Sequence, residues 1–460
     1  MNPSSPLIFV AFLTILVAPL CAAENAEPSG GSPIERWFMQ DYMLGDWGGL
    51  RSDLSDHGVD LEFFYVGSVP NNISGGIRHG AIYQSGMILA LDLDFEKMGL
   101  WKGGSFHASS VWLNGQPFSD QYVGDLNKTN LVDFPADFRV WQVYFQQHLL
   151  DEKLTLKAGL LSVDRDFILP EMYNSLASIN FLNQTFFFPT MAFNLYDQPF
   201  FPKGAHSLPS TPYGVPAVVL KWDASQSLYL KAGVYDGYPD KTGPGTRIQL
   251  HSDEGALFFY ELGWRRNMEQ GAKGLPTSVK AGGYYHTDEF YDIYNTIASL
   301  IPLGLSNGPT THDGNYGLYL LAERMLWREQ GPDDPAQQGV TGFFRTAWAP
   351  RDRNIAEYSI DGGLVFKGLI PGRDYDTLGI AGSYMRMSRD LERAVEDINK
   401  VLGFQFAEPH DYEAVVELSY KLQLAAWWTL SPNLQYVMHP GGSGAIPNAW
   451  VFALQTTLRF

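Results

Sequence analysis

Cysteine is all but missing from the chain. The single one, Cys21, lies near the start of the 460 residues. A chain with one thiol forms no internal disulfide, and if residues 1–23 are removed the remainder has no thiol chemistry at all. Charge is also scarce, at 18% of residues against about 25% in a typical soluble domain. What charge there is runs acidic, with a formal net of -18, which excludes nucleic acid as a partner because phosphate contacts need clustered Lys and Arg. Beyond the first 23 residues no stretch approaches the ~20 apolar residues of a membrane-spanning helix. There is no phosphate-cradling P-loop, dinucleotide glycine fingerprint, nucleophile elbow or H-E-x-x-H zinc pair. The ten His are scattered without ligand spacing. These absences leave catalytic residues, metals and cofactors without a candidate.

Aromatic residues, at 14%, and 46 Gly are abundant instead. That pairing suits twisted strands and interfacial aromatic girdles. Residues 1–23 read as an export signal, with an apolar core from Leu7 to Leu20 and small residues before a cut after Ala23. Its start lacks Lys and Arg, a departure from the usual form, and Pro19-Leu20 before Cys21 disfavours a lipoprotein. Residues 24–58 form a lead-in, polar to Ser32 and then short helices and turns, with Leu50 and Leu54 on one helical face and Gly58 as a stop.

From Val59 onward the hydrophobic period becomes two. In Ile88–Phe95, Leu89, Leu91, Leu93 and Phe95 share one face while Asp92 and Asp94 take the other. Roughly sixteen such runs follow one another to residue 460, each near the ~10 residues of a tilted spanning strand. The links alternate in length. Asp151-Glu152, Ala224–Gln226 and Ala425-Ala426 are tight, whereas 67–81, 114–138, 164–213, 237–254, 288–314 and 388–410 are long. Short periplasmic turns alternating with long outer loops are expected of an up-and-down barrel. The predicted fold is therefore all-β, a transmembrane antiparallel barrel of about sixteen strands over 59–460, with a helical periplasmic lead-in. The loop 164–213 is expected to fold inward and narrow the lumen, because Phe181, Phe186, Phe187, Phe188 and Phe193 would sit poorly in water. The last strand alternates to a terminal Phe460, the pattern read by barrel-insertion machinery.

Strand parity separates lipid from lumen. A Lys or Arg on the lipid face at mid-membrane costs ~2–4 kcal/mol, so mid-strand charges belong inside. This places Lys157, Lys221, Lys231, Lys280 and Arg345 inward, with the acids Asp92, Glu261 and Glu417. Tyr229, Tyr235 and Tyr284 have the same parity and offer rings to the C–H faces of sugars. Charges of both signs suit neutral polyols, whose hydroxyls donate and accept. Each charge has an equally plain structural reading as a cross-lumen pair that stiffens the wall. Trp264 and Trp348 fall on the outer face as girdle residues.

Several segments in order resemble the carbohydrate-selective porins of the OprB family. They are Gly45-Asp46-Trp47-Gly48-Gly49-Leu50-Arg51, Tyr235-Asp236-Gly237, Asn315–Tyr319, Trp348-Ala349-Pro350, Gly368–Arg373, Asp411–Val415 and Gln435–Gly442. The resemblance covers nearly the whole chain after the signal. It implies an outer-membrane, sixteen-stranded barrel that lets glucose and related small carbohydrates diffuse passively. In the strand Arg139–Phe145 relatives often carry an acid where this chain has Gln142, so Arg139 and Gln142 join the pore-lining candidates. Outer-membrane lipids and the insertion machinery acting on Phe460 are the other expected partners, and a homotrimer and a monomer both stay open. A general diffusion porin is the nearest alternative. A secreted glycoside hydrolase using two carboxylates is a more distant one.

Overall fold

The computed structural model describes residues 32–172, 180–188, 208–239, 245–246, 248, 255–269, 271–331, 334 and 336–460. The expected export signal and Phe193 lie outside the described residues. Seventeen strands form one antiparallel sheet, and one of them is only the two-residue Gly80–Ala81. The other sixteen are β1 (Val59–Ser74), β2 (Gln84–Asp94), β3 (Gly104–Asn114), β4 (Asp137–Leu149), β5 (Leu154–Leu161), β6 (Val215–Asp223), β7 (Leu228–Asp236) and β8 (Ala256–Arg266), continuing with β9 (Thr277–Tyr291), β10 (Thr311–Arg328), β11 (Gly339–Trp348), β12 (Ala356–Lys367), β13 (Thr377–Met387), β14 (Tyr412–Ala425), β15 (Trp428–Met438) and β16 (Ala449–Arg459). Each pairs with its sequence neighbour, and β1 pairs with β16 from Phe64↔Arg459 to Ser74↔Trp450, which closes the barrel. Closure leaves no unpaired strand edge, the condition a sheet must meet to sit in hydrocarbon.

The walls follow the period-two pattern. On β8, Phe258, Tyr260, Leu262 and Trp264 are exposed on the outer face while Leu257, Phe259 and Glu261 are buried inside. The outer wall is apolar all round, with Leu89, Trp112, Leu220, Leu318, Phe344, Trp348, Ile380, Leu418 and Phe452 all exposed. Three strands run longer than the sequence pattern indicates. β1 continues to Ser74, β9 to Tyr291, and β10 begins at Thr311, so parts of the links 67–81 and 288–314 are strand.

Strict alternation fails on β4. The register with β3 slips between Ser109↔Gln142 and Ser110↔Val140, which makes Trp141 an extra residue. The bulge lets Arg139 and Gln142, of opposite parity, both be buried on the inner side.

The helices lie at the two ends. Helix α1 (Pro33–Phe38) starts on a Ser32–Glu35 capping box, and α2 (Leu50–Asp56) ends before Gly58 in the left-handed region. Both pack where the barrel closes. Trp37 lies 4.4 Å from Trp427, between β14 and β15, and Phe63 of β1 stacks 4.6 Å from Phe460. Arg51 lies over the rings of Tyr42 and Trp47, at 3.6 and 4.5 Å, and donates to the Phe460 carbonyl at 2.6 Å. A four-residue turn, α3 (Gln184–Phe187), lies in the 164–213 loop. At the opposite end α4 (Ile293–Ser299) and α5 (Arg389–Leu402) pack on each other through Ile293, Ile297 and Leu391.

The Arg51 contact ties the lead-in to a seam made of the first and last strands. Arg51→Ala is expected to lower barrel stability by ~1 kcal/mol, the worth of a charged hydrogen bond discounted for partial exposure. The temperature at which the folded, fast-migrating band is lost on semi-native gels should fall. An unchanged transition would mean that the contact contributes nothing to closure.

Candidate permeation site

A loop laid inside a barrel brings backbone N–H groups away from bulk water, and each needs an acceptor. Two described segments of the third outer loop find theirs on the inner wall. In the first, Lys157 of β5 donates to Asp166 at 2.8 Å, and Lys231 of β7 donates to the Asp166 carbonyl. Ile168 N donates to Glu261 of β8 at 3.1 Å, and Lys280 of β9 reaches the Leu169 carbonyl at 2.6 Å and Glu171 at 2.9 Å. Farther round, Glu323 of β10 accepts from the N–H groups of Glu171 and Met172 at 2.7 and 2.9 Å.

The second segment repeats the device on the facing strands. Glu417 of β14 accepts from Leu182 N at 2.6 Å and Asn183 N at 3.0 Å. Arg345 of β11, wholly buried, pairs with Asp361 of β12 at 3.0 Å and donates to the Thr185 carbonyl. Phe181 and Phe186 pack against Phe343, and Phe187 is also buried. Gly379 of β13 makes room for them, since a Cβ there would stand 2.7 Å from the Phe181 ring.

The second outer loop, 114–138, turns inward too. Glu413 of β14 accepts from Leu126 N and Asn127 N, each at 2.8 Å, and Gln435 of β15 donates to the Thr129 carbonyl at 2.8 Å. The two loops meet where Asn183 donates to the Asn127 carbonyl at 2.9 Å and Gln184 N to the Lys128 carbonyl at 2.9 Å.

The thirteen residues placed inward from the sequence lie on the inner side, but they fall into separate groups. Lys157, Lys231, Glu261 and Lys280 converge on residues 166–171. Glu261 is the hub of this group, accepting also from the hydroxyls of Tyr229 and Tyr319 at 2.9 Å each. The Tyr229 ring lies over Gly263, where a Cβ would be 2.1 Å from it. Tyr284 stacks 5.6 Å from Phe259 beside this group. Arg345 and Glu417 belong to the facing group. Lys221 pairs with Asp223 at 2.8 Å near the end that carries α1, α2 and Phe460. Arg139 pairs with Asp137 beneath the Tyr213 ring, 4.5 Å away, and Gln142 is buried opposite Ser109. Asp92 bonds His107 at 2.7 Å, and His107 stacks 4.9 Å from Tyr144. Glu261, Lys280, Arg345 and Glu417 are covered by loop, so they hold the narrowing segment from behind. Sequence reading passed over Glu323, Glu413 and Gln435, which hold loop backbone in the same way, and Asp361, which pairs with Arg345. Their inward parity in mid-strand was the available signal.

Two loop carboxyls are held above the ordinary carboxylate range. At Asp164 the cause is burial, opposed by hydrogen bonds from Thr211, which join the two ends of the third loop. At Asp125 burial acts together with the neighbouring acids Glu413 and Asp133, and the carboxyl stays protonated well above its usual value.

The geometry has counterparts among known proteins. The family model for carbohydrate-selective porins, OprB family, matches residues 78–460. Porin B of Pseudomonas aeruginosa is 26% identical over 447 residues, covering 93% of this chain and 92% of its own. The high-pH structure of Pseudomonas putida OprB superposes with a TM-score of 0.78 at 24% identity, over 92% of this chain and 99% of that one. The low-pH structure of the same protein gives 0.54 at 18% identity, with the same coverage.

Removing Glu417 leaves two buried N–H groups without an acceptor, each costing about 1–3 kcal/mol. Glu417→Ala is expected to free the 180–188 segment and to give larger, noisier single-channel currents. Currents equal to the parent's would mean that this anchor does not control the lumen.

Asp125 predicts a pH dependence. With its folded-state value raised, the packing of loop 114–138 is strongest below the ordinary carboxylate range and weakens as pH rises through the raised value. Limited proteolysis within 114–138 should therefore speed up with rising pH, and Asp125→Asn should flatten the profile. An Asp125→Asn profile as steep as the parent's would assign the effect to another group.

Proposed function

Because the chain belongs to the OprB family of carbohydrate-selective porins, and is thus an outer-membrane channel for sugars rather than an enzyme, we propose that it lets small sugars such as glucose diffuse passively through a lumen narrowed by the loop 164–213. The observation that carries this reading is the paired inner wall. Lys157 faces Asp166, Lys280 faces Glu171, and Arg345 faces Asp361, so opposite charges neutralise one another where the loop crosses. Of these groups Lys157 and Glu171 stay partly accessible, so a neutral polyol meets a donor and an acceptor there, at little cost in desolvating a lone charge.

The pore-lining roles of Arg139, Gln142, Lys157, Lys221, Lys231 and Tyr284 belong to this proposal, with Glu261, Lys280, Arg345 and Glu417 acting from behind the loop. So do the division into signal (1–23), periplasmic lead-in (24–58) and barrel (59–460), cleavage after Ala23, recognition of Phe460 by the insertion machinery, contact with outer-membrane lipids, and a homotrimeric assembly.

Planar-bilayer conductance of the purified protein, titrated with glucose and then maltose, tests the reading. Channels are expected whose current falls saturably with added sugar, at lower concentration for the preferred one. Channels indifferent to both sugars would reduce the protein to a general diffusion pore.

A further inference from the structure

Cations on the inner wall are almost all paired, which makes an exception on β12 and β14 informative. Lys367, Thr377 and Lys421 form one lateral row across three adjacent strands, since Lys367 pairs with Thr377 and Thr377 with Lys421. Directly paired residues point to the same face. That face is the inner one, because Val365, Gly379 and Ser419 share it and Val365 and Ser419 are buried. Lys421 is only 8% exposed, yet among the described residues neither ammonium has a hydrogen bond or an ion pair. Asp376 attracts Lys421, but its carboxylate is already taken by both Nε and Nη2 of Arg373, at 2.8 and 2.9 Å, and by the Tyr420 hydroxyl at 2.8 Å. Lys367 has a weak contact with the Tyr375 ring at 5.8 Å, and Asp334 attracts it without forming an ion pair. The two ammonium groups repel each other. Two like charges side by side, one buried and one half-buried, with Asp376 and Asp334 attracting them but making no ion pair with them, are unfavourable unless something else supplies negative charge.

Its position in the lumen points to a solute. Thr377, between the lysines, donates to Asn180 at 2.7 Å, at the start of the described segment 180–188. The row therefore lies just past the segment 180–188, toward the end that carries α1, α2 and Phe460. We propose that Lys367 and Lys421 form a station for the carboxylate of an acidic sugar, an aldonate or a uronate, on its way out of the constriction. Alternate strands stand ~10 Å apart, and flexible four-carbon stems let both ammonium groups close on one carboxylate. Two point charges without a guanidinium fork hold an anion loosely enough for it to leave, as conduction requires. The inference rests on the channel reading and extends it from neutral to acidic sugars.

The test is planar-bilayer recording on the full chain at low salt, with sodium gluconate or glucose as blocker. The parent channel is expected to be blocked by gluconate at a concentration about tenfold lower than by glucose, the worth of one charged hydrogen bond. In the Lys367→Gln, Lys421→Gln double variant the gluconate advantage should disappear while the glucose block stays as it was. Lys421→Arg should retain it. A gluconate block unchanged in the double variant would overturn the station while leaving the sugar channel standing. Parent channels blocked by neither solute would instead overturn the sugar-preferring reading. Should the double variant fail to insert, Lys367→Gln alone decides, because a gluconate block equal to the parent's would then reject the proposal.

Discussion

Buried carboxylates accepting backbone N–H groups hold this structure's interior together. Glu261, Glu323, Glu413 and Glu417 each point inward from a strand and take one or more amides from a loop folded into the barrel. Loop backbone inside a barrel has no strand partner of its own, and leaving its donors unmet would cost more than most side-chain packing returns. A carboxylate offers several lone-pair sites in one place, so one glutamate can seat two consecutive amides. The narrowing of the lumen thus depends on acids that a passing solute does not reach.

The same requirement explains the basic partners. Lys157, Lys231, Lys280 and Arg345 bind loop carbonyls and carboxylates, which keeps the wall near neutral despite the acidic total of the chain. Where this pairing stops, past the segment 180–188, the inner wall carries Lys367 and Lys421, which form no ion pair among the described residues. A neutral constriction followed by a cationic exit treats a sugar and a sugar acid differently, without any change in pore width.

Small residues complete the fit. Gly379 receives Phe181 and Gly263 receives Tyr229, both on the inner face, where a larger side chain would expel the ring. At the closing seam the lead-in plays a comparable part, with Trp37 on Trp427 and Arg51 on Phe460 covering the junction of first and last strands.

Sequence alone determined the barrel, because period-two alternation, strand length and alternating link length are local properties imposed by a lipid solvent on one face. It also determined which charges face inward, since a cation in hydrocarbon is penalised wherever it occurs. It was less complete in the loops. Helix α5 was legible in principle from Ser388 and the spacing of Leu391, Ala394, Val395 and Ile398, yet it lies in a link otherwise read only by its length. Tertiary structure decided what the inward charges do. Lys157 and Asp166 are nine residues apart, but Glu417 and Leu182 are 235 apart. No local pattern reveals that the second pair meets, and so none separates a residue that lines the path from one that holds the loop behind it. The Trp141 bulge, which turns both Arg139 and Gln142 inward, is likewise set by pairing with β3 and not by the residues of β4 themselves.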